Sequence, residues 1–426
     1  MAKWKTFRHN GIYFPPEYVW KKLYVKIIGE RFEPDAQQEE MLYAWAKKIN
    51  TPYVNDPVFQ QNFLNDLKKI LPRKYSSIKI DDIDFSQIVK YQENEKDLTK
   101  DEKKVLAMER KKQKEILKER YGYVEIDGVK CDMANWMVEP PGIFMGRGQH
   151  PIRGKWKPRI KSEDVILNLD KGASVPAGKW KQIINGNDYM WVASWKDALS
   201  DKMKYIWPHE GSHLRQKRDM DKYDKAMSID VHIGDIKKAI SEGMKSKDER
   251  IRQVATACYL IDNLVMRVGD EKDEDEADTV GASTLRVEHI KFNPDSIEFD
   301  FLGKDSVRWE KVIKFSEADP AFVRNMKDFT NGKNRTDLVF HGIDSGHVNE
   351  FLGKCLKGLT AKVFRTYHAT KTLSNYLKNI KISKDAQTNL YNAKLANLEV
   401  AMMCNHKKTP PKTWEETFAR KEEKLT

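Results

Sequence analysis

Residues 297–309 read IEFDFLGKDSVRW, two alternating runs interrupted by glycine, lysine and aspartate. Apolar side chains share one face of the first run, from Ile297 to Phe301, and the alternation resumes at Val307. A period of two is typical of a half-buried strand, and Gly-Lys-Asp is typical of a tight turn. The stretch therefore predicts a β-hairpin that presents Lys304 at its tip.

Helical and then strand-like patterns precede the hairpin. Apolar residues recur at intervals of three and four over residues 251–268, which predicts a core helix with Arg267 at its end. The acidic run Asp270–Asp278 is typical of a solvated loop. Residues 285–289 then alternate between apolar and polar, so we expect a further strand there.

The sequence after the hairpin is mainly helical. Its patterns predict helices over Phe351–Lys357, Thr360–Leu377 and Asp385–Cys404. Arg365 lies inside the second helix, and His406 follows the third. We therefore expect a mainly helical domain built around one hairpin.

Four cationic or titratable residues of this half could bind an anion, but each has an ordinary structural explanation. Arg267 beside the acidic run is typical of an ion pair, and a lysine such as Lys304 at a hairpin tip is usually solvated. The stem of Arg365 can pack against its helix, and His406 can cap the helix before it. None of the four indicates chemistry alone.

The first half of the chain has a different pattern. Helix-like stretches at Asp35–Ile49 and Asp56–Leu71 predict a compact lobe. A capping box that begins at Thr99 predicts a charged surface helix over residues 100–120. Short apolar runs broken by Gly, Pro and Asn fill residues 123–207, which predicts a β-rich lobe.

A glycine-rich basic segment lies inside this β-rich region. Residues 139–151 read EPPGIFMGRGQHP and lead directly into basic residues, namely Arg153, Lys155, Lys157, Arg159 and Lys161. Glycine lets a backbone approach a ligand closely, and a guanidinium forks onto phosphate oxygens. The segment is therefore a candidate DNA-binding loop, and an ordinary solvated turn is the alternative.

Composition narrows the class of protein. The chain has 426 residues and a formal net charge of +12, from 76 basic and 64 acidic residues. A chain of this length usually forms two or three domains. The charge favours a polyanionic partner, with nucleic acid ahead of an anionic membrane surface, unless it only solvates the protein.

The sequence gives no sign of a membrane or secretory protein. No apolar run is long enough to cross a bilayer, and no charged-then-apolar leader follows Met1, so we expect an intracellular protein. The 4 cysteines are far apart, which excludes a CxxC-type zinc spacing and argues against a disulfide framework.

Several sequence motifs, taken in order, resemble those of one family. They are EPPG (139–142), GRG (146–148), ADTVG (277–281), LRVEHI (285–290), FDFLGKDS (299–306), GLTAKVFRTY (358–367), CNH (404–406) and PPKT (410–413). These motifs are similar to those of the eukaryotic type IB DNA topoisomerases. The similarity runs from about Lys3 to Phe418 and includes the four residues discussed above: Arg267, Lys304, Arg365 and His406.

The resemblance implies an α+β, multidomain DNA clamp. It divides the chain into an N-terminal strand that joins the β-rich lobe (1–18), a mixed cap lobe (19–123), a β-rich core lobe (124–209), a mainly helical catalytic domain of the tyrosine recombinase and type IB topoisomerase kind (210–406), and the start of a linker (407–426). Such a clamp would hold double-stranded DNA chiefly by its phosphates, with little sequence preference.

The resemblance also implies a reaction. A tyrosine oxygen attacks one phosphodiester, forms a 3′-phosphotyrosine link and releases a 5′-hydroxyl, and religation reverses the step, so neither ATP nor a metal is needed. Arg267 and Arg365 would stabilise the transition-state charge, and His406 would donate a further hydrogen bond. Lys304 would protonate the departing 5′ oxygen as general acid.

Further assignments follow from the same resemblance. The implied DNA contacts are Arg147, His150, Arg153, Lys155, Arg159 and Lys362. Camptothecin-type drugs would contact Arg147 and Asp305. The implied compartment is the nucleus, with the mitochondrial or kinetoplast DNA compartment as an alternative.

The sequence departs from the family at the nucleophile. No tyrosine follows His406, no Ser-Lys-x-x-Tyr word occurs, and none of the 16 tyrosines is a candidate. Either the chain stops after the core, or a second polypeptide supplies the tyrosine, as in the two-subunit enzyme of trypanosomatids, whose large subunit this chain resembles. Met145 also stands where relatives commonly have arginine, which puts one phosphate contact in question.

Without a tyrosine-bearing small subunit or C-terminal domain, we expect a chain that is inactive or nearly so. Two rival interpretations stay open at this point. One is a non-catalytic DNA-binding scaffold, and the other is a site-specific tyrosine recombinase.

Overall fold

The computed structural model describes residues 3–270, 276–408, 410–411 and 413–423. The chain divides into two compact units, Met1–Asp219 with Asp273–Ala277, and Met220–Lys272 with Asp278–Thr426. Most of the acidic run that was predicted as a solvated loop, residues 271–275, lies outside the described residues.

The first unit combines short strands with helices. Its strands are β1 (Phe7–His9), β2 (Val25–Ile27), β3 (Glu30–Phe32), β4 (Ile83–Asp84), β5 (Tyr123–Ile126), β6 (Val129–Asp132), β7 (Gly142–Ile143), β8 (Trp156–Lys157), β9 (Val165–Asn168), β10 (Gln182–Ile184), β11 (Ala193–Lys196) and β12 (Met203–Ile206). Its helices are α1 (Ala36–Ala46), α2 (Pro57–Lys68), α3 (Ser86–Lys96) and α4 (Lys100–Tyr121).

The strands of the first unit pair in small sheets. One sheet has the order β1-β5-β6 and is antiparallel throughout. A second has the order β10-β9-β11-β12, in which the β10 and β9 pair is parallel. β2 lies between β3 and β4, and β7 pairs with β8. The first strand of the chain thus pairs with a strand that follows α4.

Two apolar clusters stabilise the first unit. One lies among the first three helices and the β2 sheet, around Leu42, Phe59 and Phe63. The other lies beneath the β1-β5-β6 and β10-β9-β11-β12 sheets, around Phe7 and Val124. The side chains at the centre of both clusters are fully buried.

Local sequence signals set where these helices begin. The Asp35 carboxylate accepts the Gln38 N–H, and the Gln38 side chain accepts the Asp35 N–H in return. Thr99 and Glu102 form the same reciprocal pair at the start of α4. Both capping boxes satisfy N–H groups that the first turn leaves unpaired, and the helix predicted over residues 100–120 is confirmed.

The second unit is mainly helical. α5 (His213–Met227) begins in the first unit and ends in the second. The other helices are α6 (Ile233–Gly243), α7 (Glu249–Asn263), α8 (Pro320–Thr330), α9 (Ser345–Cys355), α10 (Ala361–Lys378), α11 (Ala386–Met403) and α12 (Trp414–Glu422). The strands are β13 (Ile290–Phe292), β14 (Ser296–Gly303) and β15 (Val307–Lys314).

The predicted hairpin is confirmed. β14 and β15 pair antiparallel up to Gly303 opposite Val307, so residues 304–306 form the connection. The inner face of the hairpin packs into the core of the second unit, where Phe301 and Trp309 stack with ring centroids 5.0 Å apart. α7 lies at the centre of the same core and contacts α6, α8, α9 and α10.

Two local predictions were wrong. The core helix ends at Asn263 rather than near residue 268, because Val265 has a left-handed backbone (φ 53°) that a helix cannot continue through. Residues 287–289 form a 3-10 turn instead of a strand, which begins only at Ile290. There, the His289 ring accepts the Arg286 N–H and closes the turn.

The predicted α+β class is confirmed, and α10 and α11 begin and end within about a residue of their predicted bounds. α9 begins earlier than predicted, at Ser345, because Asp344 caps it. The division into five segments stays a prediction. Among the described residues, we find no helix with the length and apolarity that a bilayer crossing requires.

Candidate active site

Four residues scattered through the sequence meet at one cleft of the second unit. The cleft has a volume of about 680 Å³ and is lined by Arg267, Lys304, Arg365 and His406. Its other lining residues are Met266, Val280, Phe301, Gly303, Asp305, Val307, Trp309, Ala401, Cys404, Asn405, Lys407 and Lys408. The structure therefore brings together all four residues that the sequence grouped.

The Arg365 guanidinium links two segments of the chain at the cleft. Arg365 lies on the first turns of α10 and is half-buried. Its Nη1 donates to the Val265 carbonyl at 2.9 Å, and its Nη2 donates to the Cys404 carbonyl at 2.6 Å. Burial and the charge of Arg267 lower the pKa of Arg365, but an arginine keeps its charge at neutral pH. The side chain joins the segment after α7 to the end of α11.

His406 lies beside this guanidinium. Its Nε2 is 3.5 Å from Arg365 Nη2, and its backbone N–H donates to the Ala401 carbonyl at 2.8 Å. Burial first, and then the positive charges of Arg365 and Arg267, lower the pKa of His406. At neutral pH the imidazole is therefore uncharged in the free protein and has one N–H to donate.

The backbone that carries Arg267 is held by a close approach of two glycines. The Arg267 carbonyl accepts the Ala282 N–H at 2.8 Å. A Cβ on Gly281 would lie 2.4 Å from the Gly269 nitrogen, and Gly269 itself has a left-handed backbone (φ 87°). Any larger residue would push the two segments apart, so both glycines fix the place from which Arg267 reaches the cleft.

Lys304 stands on the connection between β14 and β15. Asp305 and Ser306 have left-handed backbones, with φ of 66° and 56°, which turns the chain within three residues. The two strands behind the turn are paired over their full length, and Lys304 is exposed. A flexible cation thus stands on a rigid support at the rim of the cleft.

The cleft is strongly cationic. Arg267, Lys304 and Arg365 line it with Lys407 and Lys408, whereas Asp305 is the one carboxylate among the described lining residues. Arg267 and Lys304 form no ion pair with any carboxylate in the part of the chain that the structure describes. Unneutralised cations in a partly desolvated cleft favour an anionic ligand.

This arrangement suits a phosphodiester. Two guanidiniums, an ammonium and an imidazole offer several donors to one set of phosphate oxygens, and these donors stabilise charge that develops during displacement at phosphorus. No tyrosine is among the described residues that line the cleft. Across the same residues, no group of His, Cys, Asp or Glu side chains comes together as a metal site would require.

The basic segment of the first unit is arranged differently. Arg153 is buried, with Nε donating to Asp56 Oδ2 at 2.6 Å and Nη2 donating to Asp56 Oδ1 at 3.0 Å. The Arg159 guanidinium donates to Glu40 at 2.8 Å and to the carbonyls of Pro15 and Pro16. Both side chains have structural partners, and their role as DNA contacts stays a prediction.

The other predicted DNA contacts lie nearer the surface. Arg147 is exposed, between two glycines with left-handed backbones, while His150 and Lys155 are partly exposed. Lys362 is exposed on the first turn of α10, in the second unit. Their contacts with DNA also remain predictions.

Sequence reasoning missed three residues at the cleft. Asn405, Lys407 and Lys408 line it beside His406. The Asn405 amide donates to the Arg308 carbonyl on β15 at 3.0 Å, and Lys407 Nζ donates to the same oxygen at 3.2 Å. Their only signal in the sequence was their position next to the histidine.

Comparison with known protein families covers both units. Residues 2–208 match the model described as "Eukaryotic DNA topoisomerase I, DNA binding fragment". Residues 211–426 match "Eukaryotic DNA topoisomerase I, catalytic core". All four residues grouped at the cleft lie in the second match.

Curated relatives agree with these matches. The chain is 39% identical over 418 residues to DNA topoisomerase 1 alpha of Arabidopsis thaliana, covering 96% of this chain and 45% of that protein. It is 34% identical over 439 residues to DNA topoisomerase 1 of Homo sapiens, covering 99% of this chain and 57% of that protein. The chain thus spans about half the length of these relatives.

One solved structure is only distantly similar. The XerH site-specific recombinase, in a pre-cleavage complex with its difH substrate, matches with a TM-score of 0.24 and 12% identity. The match covers 43% of this chain and 51% of that one. A score this low supports no conclusion about the site.

Proposed function

Because the chain belongs to the eukaryotic DNA topoisomerase I family, we propose that it is the DNA-clamping core of a type IB enzyme. In this proposal it relaxes supercoiled duplex DNA by transient cleavage of one strand through a 3′-phosphotyrosine, without ATP or a required metal. The tyrosine comes from a second polypeptide or from a C-terminal domain. The observation that carries the proposal is the meeting of Arg267, Lys304, Arg365 and His406 at one cationic cleft.

The chemistry of the cleft supports this assignment. A phosphodiester is already anionic, and its five-coordinate transition state concentrates more charge on the non-bridging oxygens. Arg365 and Arg267 bind those oxygens, with His406 as a further donor. Arg365 is already directed by two carbonyl acceptors, so little reorganisation is needed when the phosphate arrives.

Lys304 has a separate role in the proposal. The departing 5′ oxygen is a poor leaving group unless it is protonated as the bond breaks. Lys304 is exposed on a stiff hairpin at the rim of the same cleft, where it can reach an oxygen that the other three residues do not contact. It therefore acts as the general acid in cleavage and as the base in religation.

We expect Arg147, His150 and Lys155 of the first unit, and Lys362 of the second unit, to contact duplex DNA, since all four are exposed or partly exposed. Contacts to phosphates make such binding salt-dependent and nearly independent of sequence. The family resemblance also implies that camptothecin-type drugs contact Arg147 and Asp305.

The source of the tyrosine is the most specific part of the proposal. The chain resembles the large subunit of the two-subunit trypanosomatid enzyme, and a heterodimer with a small tyrosine-bearing subunit follows from that resemblance. The nucleus is the expected compartment, with the mitochondrial or kinetoplast DNA compartment as the alternative. Alone, the chain would bind DNA but leave it uncut.

Plasmid relaxation tests the proposal. Supercoiled plasmid is incubated without ATP, with the chain alone, with a tyrosine-bearing small subunit alone, and with both. We expect relaxation with both, and loss of that activity when the partner's tyrosine is replaced by phenylalanine. DNA binding without relaxation under every combination would contradict the proposal and leave a non-catalytic scaffold.

A further inference from the structure

Two residues that flank His406 bind the same atom. Asn405 Nδ2 and Lys407 Nζ both donate to the Arg308 carbonyl oxygen, at 3.0 and 3.2 Å. Arg308 is the second residue of β15, just after the turn that carries Lys304. The chain that leaves α11 is therefore fastened to the hairpin on both sides of the histidine.

Asn405 also shapes the backbone that presents His406. Its φ is 52°, a left-handed conformation that asparagine adopts more readily than most residues. The His406 N–H reaches back to the Ala401 carbonyl at 2.8 Å, the bond that closes a helix of this kind. The end of α11 thus reverses at a fixed point, immediately before the imidazole.

The imidazole has little else to hold it. The His406 side chain is largely exposed, and among the described residues its ring approaches Arg365 Nη2, at 3.5 Å from Nε2. The positive charges of Arg365 and Arg267 disfavour protonation of His406 but do not fix the orientation of its ring. A donor that serves one transition state must be held within about half an ångström by its surroundings. Here those surroundings are the two hydrogen bonds to β15.

We propose that Asn405 and Lys407 form a bracket that positions His406, and that this bracket couples the histidine to the Lys304 hairpin. Both bonds end on one carbonyl of β15. A movement of the hairpin would therefore move His406, which donates a hydrogen bond to the phosphate, together with Lys304, the general acid. The bracket is a feature of this chain's own geometry and rests on the proposed function only for the role of His406.

The first test reads the position of His406 without any activity. The full chain is labelled at histidine Cε1, and the His406 NMR signal is assigned by its loss in His406→Gln. In the parent, burial and the charges of Arg365 and Arg267 lower the pKa of His406. Asn405→Gly keeps the left-handed backbone and removes the amide, so the pKa should rise towards about 6.5, the value of a solvated histidine.

Charge is separated from hydrogen bonding at Lys407. Lys407→Met and Lys407→Gln both remove the positive charge, but only glutamine can still donate to the Arg308 carbonyl. The bracket predicts a clearly larger rise in the pKa of His406 for Lys407→Met. Asn397→Ala is the matched control, since it also removes an asparagine bond to a backbone carbonyl of α11, at 2.9 Å from Ala393 O. It should leave the titration unchanged.

A second readout links the bracket to catalysis. With a tyrosine-bearing partner present, Asn405→Gly should slow cleavage at saturating protein by roughly tenfold to a hundredfold, as a misplaced catalytic donor does, with little change in DNA affinity. An unchanged His406 titration in Asn405→Gly, or equal shifts in the two Lys407 variants, would overturn the bracket. Absence of relaxation in the parent would count against the proposed function, and the NMR result would still stand.

Discussion

Two basic regions of this molecule use their charge in opposite ways. In the segment after residue 150, the guanidiniums of Arg153 and Arg159 lie against Asp56 and Glu40. At the cleft, Arg365 donates to two backbone carbonyls and lies beside His406, and no carboxylate in the described part of the chain pairs with it or with its cationic neighbours. A paired arginine stabilises the fold, whereas an unneutralised one is available to an anion. Net charge alone does not distinguish the two.

The largest effect is expected where the paired region is broken. Asp56→Ala leaves the buried Arg153 guanidinium without its carboxylate and also removes the cap of α2. The free energy of unfolding should fall by roughly 3–5 kcal/mol, as for other buried ion pairs that lose one partner. Urea unfolding followed by tryptophan fluorescence measures the change.

Asp35→Ala is the control, because it removes the cap of α1 without affecting an arginine. It should lower the free energy of unfolding by about 1 kcal/mol. Equal losses in the two variants would mean that the ion pair contributes nothing. Since the Arg153 guanidinium lowers the pKa of Asp56, its contribution is present above about pH 4 and is lost as the pH falls further.

At the cleft, the expected loss is in rate. Arg365→Ala removes a guanidinium that holds two backbone carbonyls in place and would also bind the reacting phosphate, so single-turnover cleavage with a tyrosine-bearing partner should slow by roughly a hundredfold to a thousandfold. Arg365→Lys should recover little, because an ammonium cannot fork between two oxygens. Arg159→Ala should change the cleavage rate little, and a comparable loss there would erase the distinction between the regions.

Local signals predicted much of this structure. The capping box at Thr99 and the alternation of residues 297–309 gave α4 and the hairpin almost to the residue, because both depend on neighbours in sequence. The end of α7 was missed, since the left-handed Val265 lies in a segment held against residues 281–283, a contact that no periodicity records. The turn at residues 287–289 was missed because apolar alternation resembles a strand.

The candidate site was likewise predicted only in part from the sequence. The grouping of Arg267, Lys304, Arg365 and His406 came from the family resemblance, and the structure brings these residues to one cleft. What the sequence did not reveal is which cations are already paired. Arg153 meets Asp56 across nearly a hundred residues of sequence, and only the fold shows that contact.

DNA binding should also depend on pH through His406. In the free protein, burial and then the cationic neighbours lower the pKa of His406, and a bound phosphate would raise it. DNA binding should therefore take up a proton, and affinity should rise as the pH falls from about 6.5 towards the lowered pKa, by at most about tenfold per pH unit. His406→Gln should lose this part of the dependence. An identical pH profile in that variant would exclude a phosphate beside His406.

The smallest expected effect is on the salt dependence of binding. Each phosphate contact contributes about one unit to the slope of log affinity against log salt. Arg267→Ala should reduce the slope by about one unit, and Arg159→Ala should leave it nearly unchanged, as measured by fluorescence anisotropy with a duplex. The reverse order would show that the paired region, and not the cleft, binds the backbone.

The most direct measurement concerns Lys304 and one leaving group. Cleavage with a tyrosine-bearing partner is compared on a normal duplex and on one whose scissile 5′ oxygen is replaced by sulfur, which leaves without protonation. Lys304→Ala should be slower than the parent by about a hundredfold or more on the oxygen substrate and should approach the parent rate with sulfur, whereas Arg365→Ala should stay slow on both. A Lys304→Ala variant that remains equally slow with sulfur, or an Arg365→Ala variant that sulfur restores, would contradict convergence of these residues, in these roles, on one phosphodiester.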